Sequence, residues 1–149
     1  MSEFKIIGEN IHTTRSIKLG GIRTKQIDSK VVITYRKKGD EFSIMDIPKH
    51  FEDTQPYKQG QLKHFMIAIW HGMHGNSSQG IDYIKWEIER QTSNSACYLD
   101  INVDEYSYKI EDQIEAMRWL VDIVKEYAKI PVSIDSSNPE IIKAGLDQY

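Results

Sequence analysis

The sequence holds one cysteine, Cys97, so no internal disulfide can form. That usage fits a reducing compartment, and the cytoplasm is the expected location. Basic residues are not in excess: 19 Lys and Arg stand against 22 Asp and Glu, for a net charge of -3. Such a chain has no general attraction for phosphate backbones, and no nucleic-acid partner is expected. Long apolar runs are missing as well. The most apolar piece, FMIAIW from Phe65 to Trp70, is far shorter than a membrane span, so no membrane partner is expected either. The opening stretch MSEFKIIGEN lacks the basic and apolar segments of a secretion signal. Internal repeats and low-complexity segments are absent.

What is present suits one globular α/β domain: 149 residues, of which 40% are hydrophobic. Phe4 to Ile7 is a short run with β-branched residues and predicts a buried strand. Residues 13–30 are polar, contain Gly20-Gly21, and predict a loop. Val31 to Tyr35 and Glu41 to Met45 flank a turn with Gly39, the pattern of a β-hairpin. Leu62, Phe65, Met66, Ile69, Trp70 and Met73 recur at threes and fours, which predicts a helix from Tyr57 to Met73. A second helix is predicted from Ile81 to Gln91.

From Cys97 onward the order becomes strand, helix, strand, helix. CYLDINV (Cys97 to Val103) and PVSI (Pro131 to Ile134) read as strands, with a long amphipathic helix over 109–128 between them. Ser137 or Asn138 caps the last helix, Pro139 suits its first turn, and Gly145 is expected to end it in a left-handed conformation. Alternation of this kind implies parallel strands joined by helical crossovers.

Ligands in parallel α/β folds bind at the carboxyl ends of strands. Here all three such ends are polar. The first carries Glu9, Asn10 and His12; the second Asp100 and Asn102, with Asp104 and Glu105 beyond; the third Asp135, Ser136 and Ser137. A carboxylate at the end of a buried strand is costly to desolvate unless something hydrogen-bonds it. A ring bearing adjacent N–H and amino donors would do so in a bidentate pair. Asn102 offers an amide that donates and accepts at once. The plainer alternative is that these residues cap helices, and it is the preferred reading for Ser137 and Asn138.

IIGENIH (Ile6 to His12) resembles the opening strand of pterin-binding methyltransferases, commonly IIGERIN or GERTN. LDINVDE (Leu99 to Glu105) is similar to their second-strand motif, and Met117 to Val121 resembles the helix that follows it. IDSS (Ile134 to Ser137) and Glu140 to Leu146 resemble the third strand and its helix. The likeness covers residues 4–12 and 97–146. The family includes methyltetrahydrofolate:corrinoid methyltransferases and the folate domain of cobalamin-dependent methionine synthase, with dihydropteroate synthase as a relative.

The resemblance implies the N-terminal portion of a (β/α)8 TIM barrel, incomplete, with a hairpin and helices inserted between the first two barrel strands. The whole of 1–149 is then a partial pterin-binding domain, and 13–56 is the hairpin-containing insertion. It implies methyltetrahydrofolate as substrate, a cobalamin or other corrinoid on a partner protein, and a place in one-carbon metabolism. The expected partners are the corrinoid protein and, in a homodimer, a second copy.

The implied pterin contacts are Asp135, for the amino-pyrimidine edge, with Glu9, Asn102, Asp100, His12 and Ser136 around it. Asp100 and Asn102 match motif positions that can shape the barrel mouth. His12 stands where the family usually has Asn. Methyl transfer from N5 needs a proton or strong hydrogen bond as the C–N bond breaks. In the family that help comes from later strands, so the chain alone is expected to be catalytically inactive.

A dihydropteroate synthase-like enzyme is the nearest alternative, but NVTPDSF-like and GGEST-like stretches are absent. A non-catalytic interaction module built on 13–96 is the other. His64, His71 and His74 lie roughly on one face of the predicted helix, away from its main apolar stripe; without an acid or Cys in register they read as solvated or hydrogen-bonded, and no metal is expected. Cys97 reads as a small core residue.

Overall fold

The computed structural model describes residues 3–149. In chain order its elements are β1 (Ile7–His12), β2 (Ile17–Lys18), β3 (Thr24–Ile27), β4 (Lys30–Arg36), β5 (Phe42–Asp46), α1 (Lys49–Glu52), α2 (Gln55–Lys58), β6 (Gln61–Leu62), α3 (His64–His74), α4 (Ser77–Ser93), β7 (Tyr98–Asn102), α5 (Ile110–Tyr127), β8 (Val132–Ile134) and α6 (Pro139–Gln148). β1, β7 and β8 form a parallel sheet in the order β1-β7-β8, while β3-β4-β5 is a separate antiparallel sheet and β2 pairs with β6. The α/β class with a parallel sheet is therefore as expected. No helix among the described residues is long and apolar enough to cross a membrane.

The central strand β7 is the driest part of the sheet: Leu99 and Ile101 are fully buried. On α5 the spacing of Ala116, Met117, Leu120, Val121 and Val124 gives one buried stripe. Each such large side chain contributes about 1.5–3 kcal/mol on burial. α4 packs against β1, and α6 packs against β8 and α5. The hairpin insertion docks on α4 through Tyr35 and Lys37, which both bond Asp82, and through Trp86, which donates to the Arg36 carbonyl at 2.8 Å.

Several elements differ from expectation for identifiable reasons. β1 starts at Ile7 and runs through the polar tip to His12, because Ile11 and His12 pair with Ile101 and Asn102. Phe4 and Ile6, expected inside, are exposed. The predicted loop over 13–30 contains β2 and β3. The β3–β4 hairpin turns on Asp28 and Ser29, both at positive φ (48° and 67°), a turn normally signalled by Gly or Asn. The predicted helix over 57–73 is split at Gly60, whose φ of 80° closes α2 before β6 pairs with β2.

Asn76 caps α4, its side chain accepting from the Gln79 N–H, so this helix begins earlier than the periodicity predicts. Asn138 is the cap of α6 and Pro139 its first residue. Gly145 does not stop that helix. It lies inside it, where a Cβ would come 2.7 Å from Ile134 Cγ2 and 3.0 Å from Met117 Cγ. The glycine permits close packing of α6 on β8 and α5. Cys97 lies just before β7 and is partly exposed rather than in the core.

Candidate functional site

The parallel register lines up the three strand tips. Leu99 pairs with Val132, Asp100 with Ser133 and Ile101 with Ile134; on the other side Ile11 pairs with Ile101 and His12 with Asn102. Side chains alternate along a strand. His12, Asn102 and Asp135 therefore form one row on one face, with Asp100 and Ser133 in the row beneath. Leu99, Ile101 and Ile11 point the other way, into the helical layer.

Contacts follow from that row. The Asn102 amide donates from Nδ2 to Asp135 Oδ2 at 3.1 Å, and its Oδ1 accepts from the Asp104 N–H at 2.8 Å. Asn102 is 6% exposed, so both ends of its amide are occupied by protein partners. His12 Nε2 lies 3.7 Å from Asp135 Oδ2, and its Nδ1 meets Thr14 Oγ1 at 2.5 Å. Asp135 is half exposed, with both contacts falling on Oδ2.

Asp100 sits half-buried below. Burial raises its pKa, the Ser133 hydroxyl opposes, the charges of Asp135 and Glu9 raise it further, and His12 works in the lowering direction. Glu9 stands at the exposed rim, 3.9 Å from the Arg15 guanidinium.

Ser136 points into its own loop. Its hydroxyl donates to Asp104 Oδ1 and accepts from the Asn138 N–H, while the Ser137 N–H donates to Asp104 Oδ2 at 2.7 Å. Burial works to raise the Asp104 pKa, but the hydrogen bonds from Ser136 and Ser137 outweigh it and hold the carboxyl below its usual value. Asp104 thus ties the loop after β7 to the loop after β8. Thr13, fully buried, ties the loop after β1 to the same place: its N–H donates to the Asn102 carbonyl and its Oγ1 accepts from the Glu105 N–H.

Of the residues expected at the site, Asp100, Asn102, His12 and Asp135 come together. Glu9 is at the edge, and Ser136 braces a loop. Thr13 and Thr14 were not among the polar groups expected at the strand ends, and Asp104 was expected only just beyond the second. Only Asp104 carried a signal, since it lies on the same alternation as Asp100 and Asn102. Nor did that reasoning join His12, Asp100 and Asp135 as one cluster.

His64 and His71, read from the sequence as lying off the apolar stripe, are both buried. His64 Nδ1 meets the Tyr83 hydroxyl at 2.7 Å; His71 Nε2 reaches the Asp46 carbonyl at 2.7 Å and its Nδ1 accepts from the Asn76 N–H. They are hydrogen-bonded histidines. A groove of about 410 Å³ lined by Phe51, Trp70 and Tyr106 lies beside the loop after β7, away from the Asp135 row.

The profile of the family described as "Pterin binding enzyme" matches residues 74–149, which include β7, β8 and their polar tips. The chain belongs to the pterin binding enzyme family. A methylcorrinoid:tetrahydrofolate methyltransferase of Eubacterium limosum is 37% identical over 54 residues, 36% of this chain. That stretch spans 19% of the relative, about a fifth of its length. Within the pterin binding enzyme family match fall Asp100, Asn102 and Asp135; Glu9 and His12 lie outside it.

Proposed function

We propose that this chain forms one side of a pterin site at which a methyl group passes between tetrahydrofolate and a corrinoid held by a partner protein. The reading rests on Asp135. Its carboxylate stands at the tip of a parallel strand, half exposed, with Oδ2 held by Asn102 and Oδ1 left for an incoming donor. An amino-pyrimidine edge presents adjacent N–H donors to such a group, and two charge-assisted hydrogen bonds result. Asn102 orients the carboxylate, Asp104 and Thr13 fix the loops around it, and Asp100 lies beneath the ring position. The family match supports pterin binding; the methyltransferase activity in the name of the Eubacterium limosum relative supports methyl transfer.

Among the described residues the sheet has three strands, and β1 and β8 each pair only with β7. In our reading further strands continue from those edges to close a (β/α)8 barrel, and 13–56 is an insertion between its first two strands. Groups on the added strands supply the hydrogen bond to N5. The corrinoid supplies the cobalt that gives or takes the methyl group.

Calorimetric titration of methyltetrahydrofolate tests this, using polypeptide that carries the chain together with its completing strands. Losing two charge-assisted hydrogen bonds removes about 3–6 kcal/mol, so Asp135→Ala weakens binding by roughly 150-fold or more. Unchanged affinity refutes the assignment. The isolated chain is expected to transfer no methyl group, and measurable turnover by it overturns the division of labour proposed.

A further inference from the structure

The strand tips also carry a second chemistry. His12 Nε2 and one carboxylate oxygen each from Asp100 and Asp135 lie within 4.8 Å of one another. We propose that these residues bind a divalent first-row transition-metal ion through one imidazole and two carboxylates. Zinc is the probe of choice.

Four features support the site. The ligands come from β1, β7 and β8, adjacent strands whose spacing is fixed by backbone hydrogen bonds. His12 has an orienting partner on its other nitrogen: Thr14 Oγ1 meets Nδ1, and with the ring proton on Nδ1 donated to that hydroxyl, Nε2 is free to bind an ion beside Asp135. Asn102 orients the Asp135 carboxylate in the same way.

The third feature is charge. Asp100 and Asp135 face each other, and among the described residues no Lys or Arg forms an ion pair with either. The nearby cations are engaged elsewhere, Arg15 with Glu9 and Lys63 with Glu105. A dication between the carboxylates removes that repulsion. The fourth is access, since half-exposed Asp135 leaves an entry path and room for water or substrate on the ion.

Zinc bonds imidazole nitrogen and carboxylate oxygen at about 2.0–2.2 Å. Small side-chain rotations bring the three atoms to that shell; the His12–Asp135 pair is already at 3.7 Å. An imidazole ligand favours zinc, cobalt or iron over magnesium, which prefers oxygen alone. The ion uses the carboxylate that the proposed pterin site also uses, so the two ligands compete.

Zinc chloride is titrated calorimetrically into the chelator-treated chain with no pterin present, which keeps the outcome independent of folate affinity. One equivalent is expected to bind. His12→Asn and Asp100→Asn each weaken it about a hundredfold or more, given that even outer partners of metal ligands are worth 10- to 100-fold. His74→Asn, on exposed surface, changes nothing. In the wild-type chain, proton NMR is expected to show zinc moving the His12 ring resonances and sparing the other four histidines. No saturable uptake, full affinity in His12→Asn, or zinc shifts confined to other histidines each overturns the proposal.

Discussion

Acidification should cost this protein stability through one residue, His64. The side chain is 5% exposed, with Nδ1 against the Tyr83 hydroxyl at 2.7 Å. The Arg23 guanidinium donates to the same hydroxyl oxygen. With Arg23 on one lone pair, the Tyr83 proton is free to go to His64 Nδ1, which accepts it only as neutral imidazole. Burial, and behind it the charges of Arg23, Arg90 and Arg15, lower the His64 pKa to about 3.

In the unfolded chain the same ring titrates near 6.5. Below that pH the unfolded state binds a proton that the folded state refuses. Stability is therefore fully present above about pH 6.5 and lost as pH falls toward 3. From pH 7 to pH 5 the linkage amounts to about 2 kcal/mol. Any folded value below about 4.5 gives nearly the same figure, because the folded ring stays neutral across that window. Urea unfolding at pH 7, 6 and 5 measures it. His64→Gln keeps an acceptor for Tyr83 but cannot titrate, and its stability should fall by about 2 kcal/mol less than wild type over the same range. Equal pH slopes in the two proteins refute the buried neutral ring.

Two further substitutions test the packing that carries the sheet. A Cβ on Gly80 would lie 2.3 Å from the Ala68 carbonyl oxygen and 2.6 Å from the Gly72 nitrogen, both backbone. Gly80→Ala must push α3 and α4 apart, and is expected to destabilise by about 2–3 kcal/mol despite its better helix propensity, lowering the thermal midpoint by roughly 5 °C or more. Gly72→Ala meets only the tip of the Trp119 ring and should be milder in the same calorimetric scan. Glu87 is 1% exposed and accepts from Nε and Nη2 of a half-exposed Arg90 at 2.8 and 3.0 Å. Arg90→Ala strands the buried carboxylate and should cost about 3–5 kcal/mol at neutral pH by urea titration, whereas Glu87→Gln releases Arg90 to water and costs less.

The parallel α/β unit was legible because β7 and β8 lie in short, largely apolar runs that end in acids or amides and are followed by helical spacing. The same feature marked His12, Asp100, Asn102 and Asp135, which the register aligns. What escaped was conformation without its usual residue. Asp28 and Ser29 make a left-handed turn that Gly or Asn normally announces, so β3 read as loop. Gly60 fell inside the helix predicted from Tyr57, whose apolar stripe began at Leu62 by coincidence of spacing, since Leu62 is buried on a strand and Phe65 on a helix. Gly145 looked like a helix stop because a glycine needed for close approach and one needed for a left-handed cap are the same letter. Thr13 and Thr14 act through partners far away in the chain or through loop geometry, and periodicity holds no trace of such contacts; Asp104 shares the alternation of Asp100 and Asn102, but that carries no sign of its tie to Ser136 and Ser137.

The ladder between β1 and β7 contains an irregularity: Gly8 pairs with Leu99 but Ile11 with Ile101, so β1 fits one extra residue into the interval. The Asn10 N–H leaves the ladder there and turns to Gln91 on α4. Had the strand run straight, Ile11 would stand opposite Asn102 in the polar row and His12 would be carried past it to the greasy side. The extra residue inverts the parity of everything downstream. Flattening that bulge with every residue kept would exchange an imidazole for a methyl-bearing chain at the rim, whereas deleting one position between Gly8 and Ile11 would leave His12 opposite Asn102.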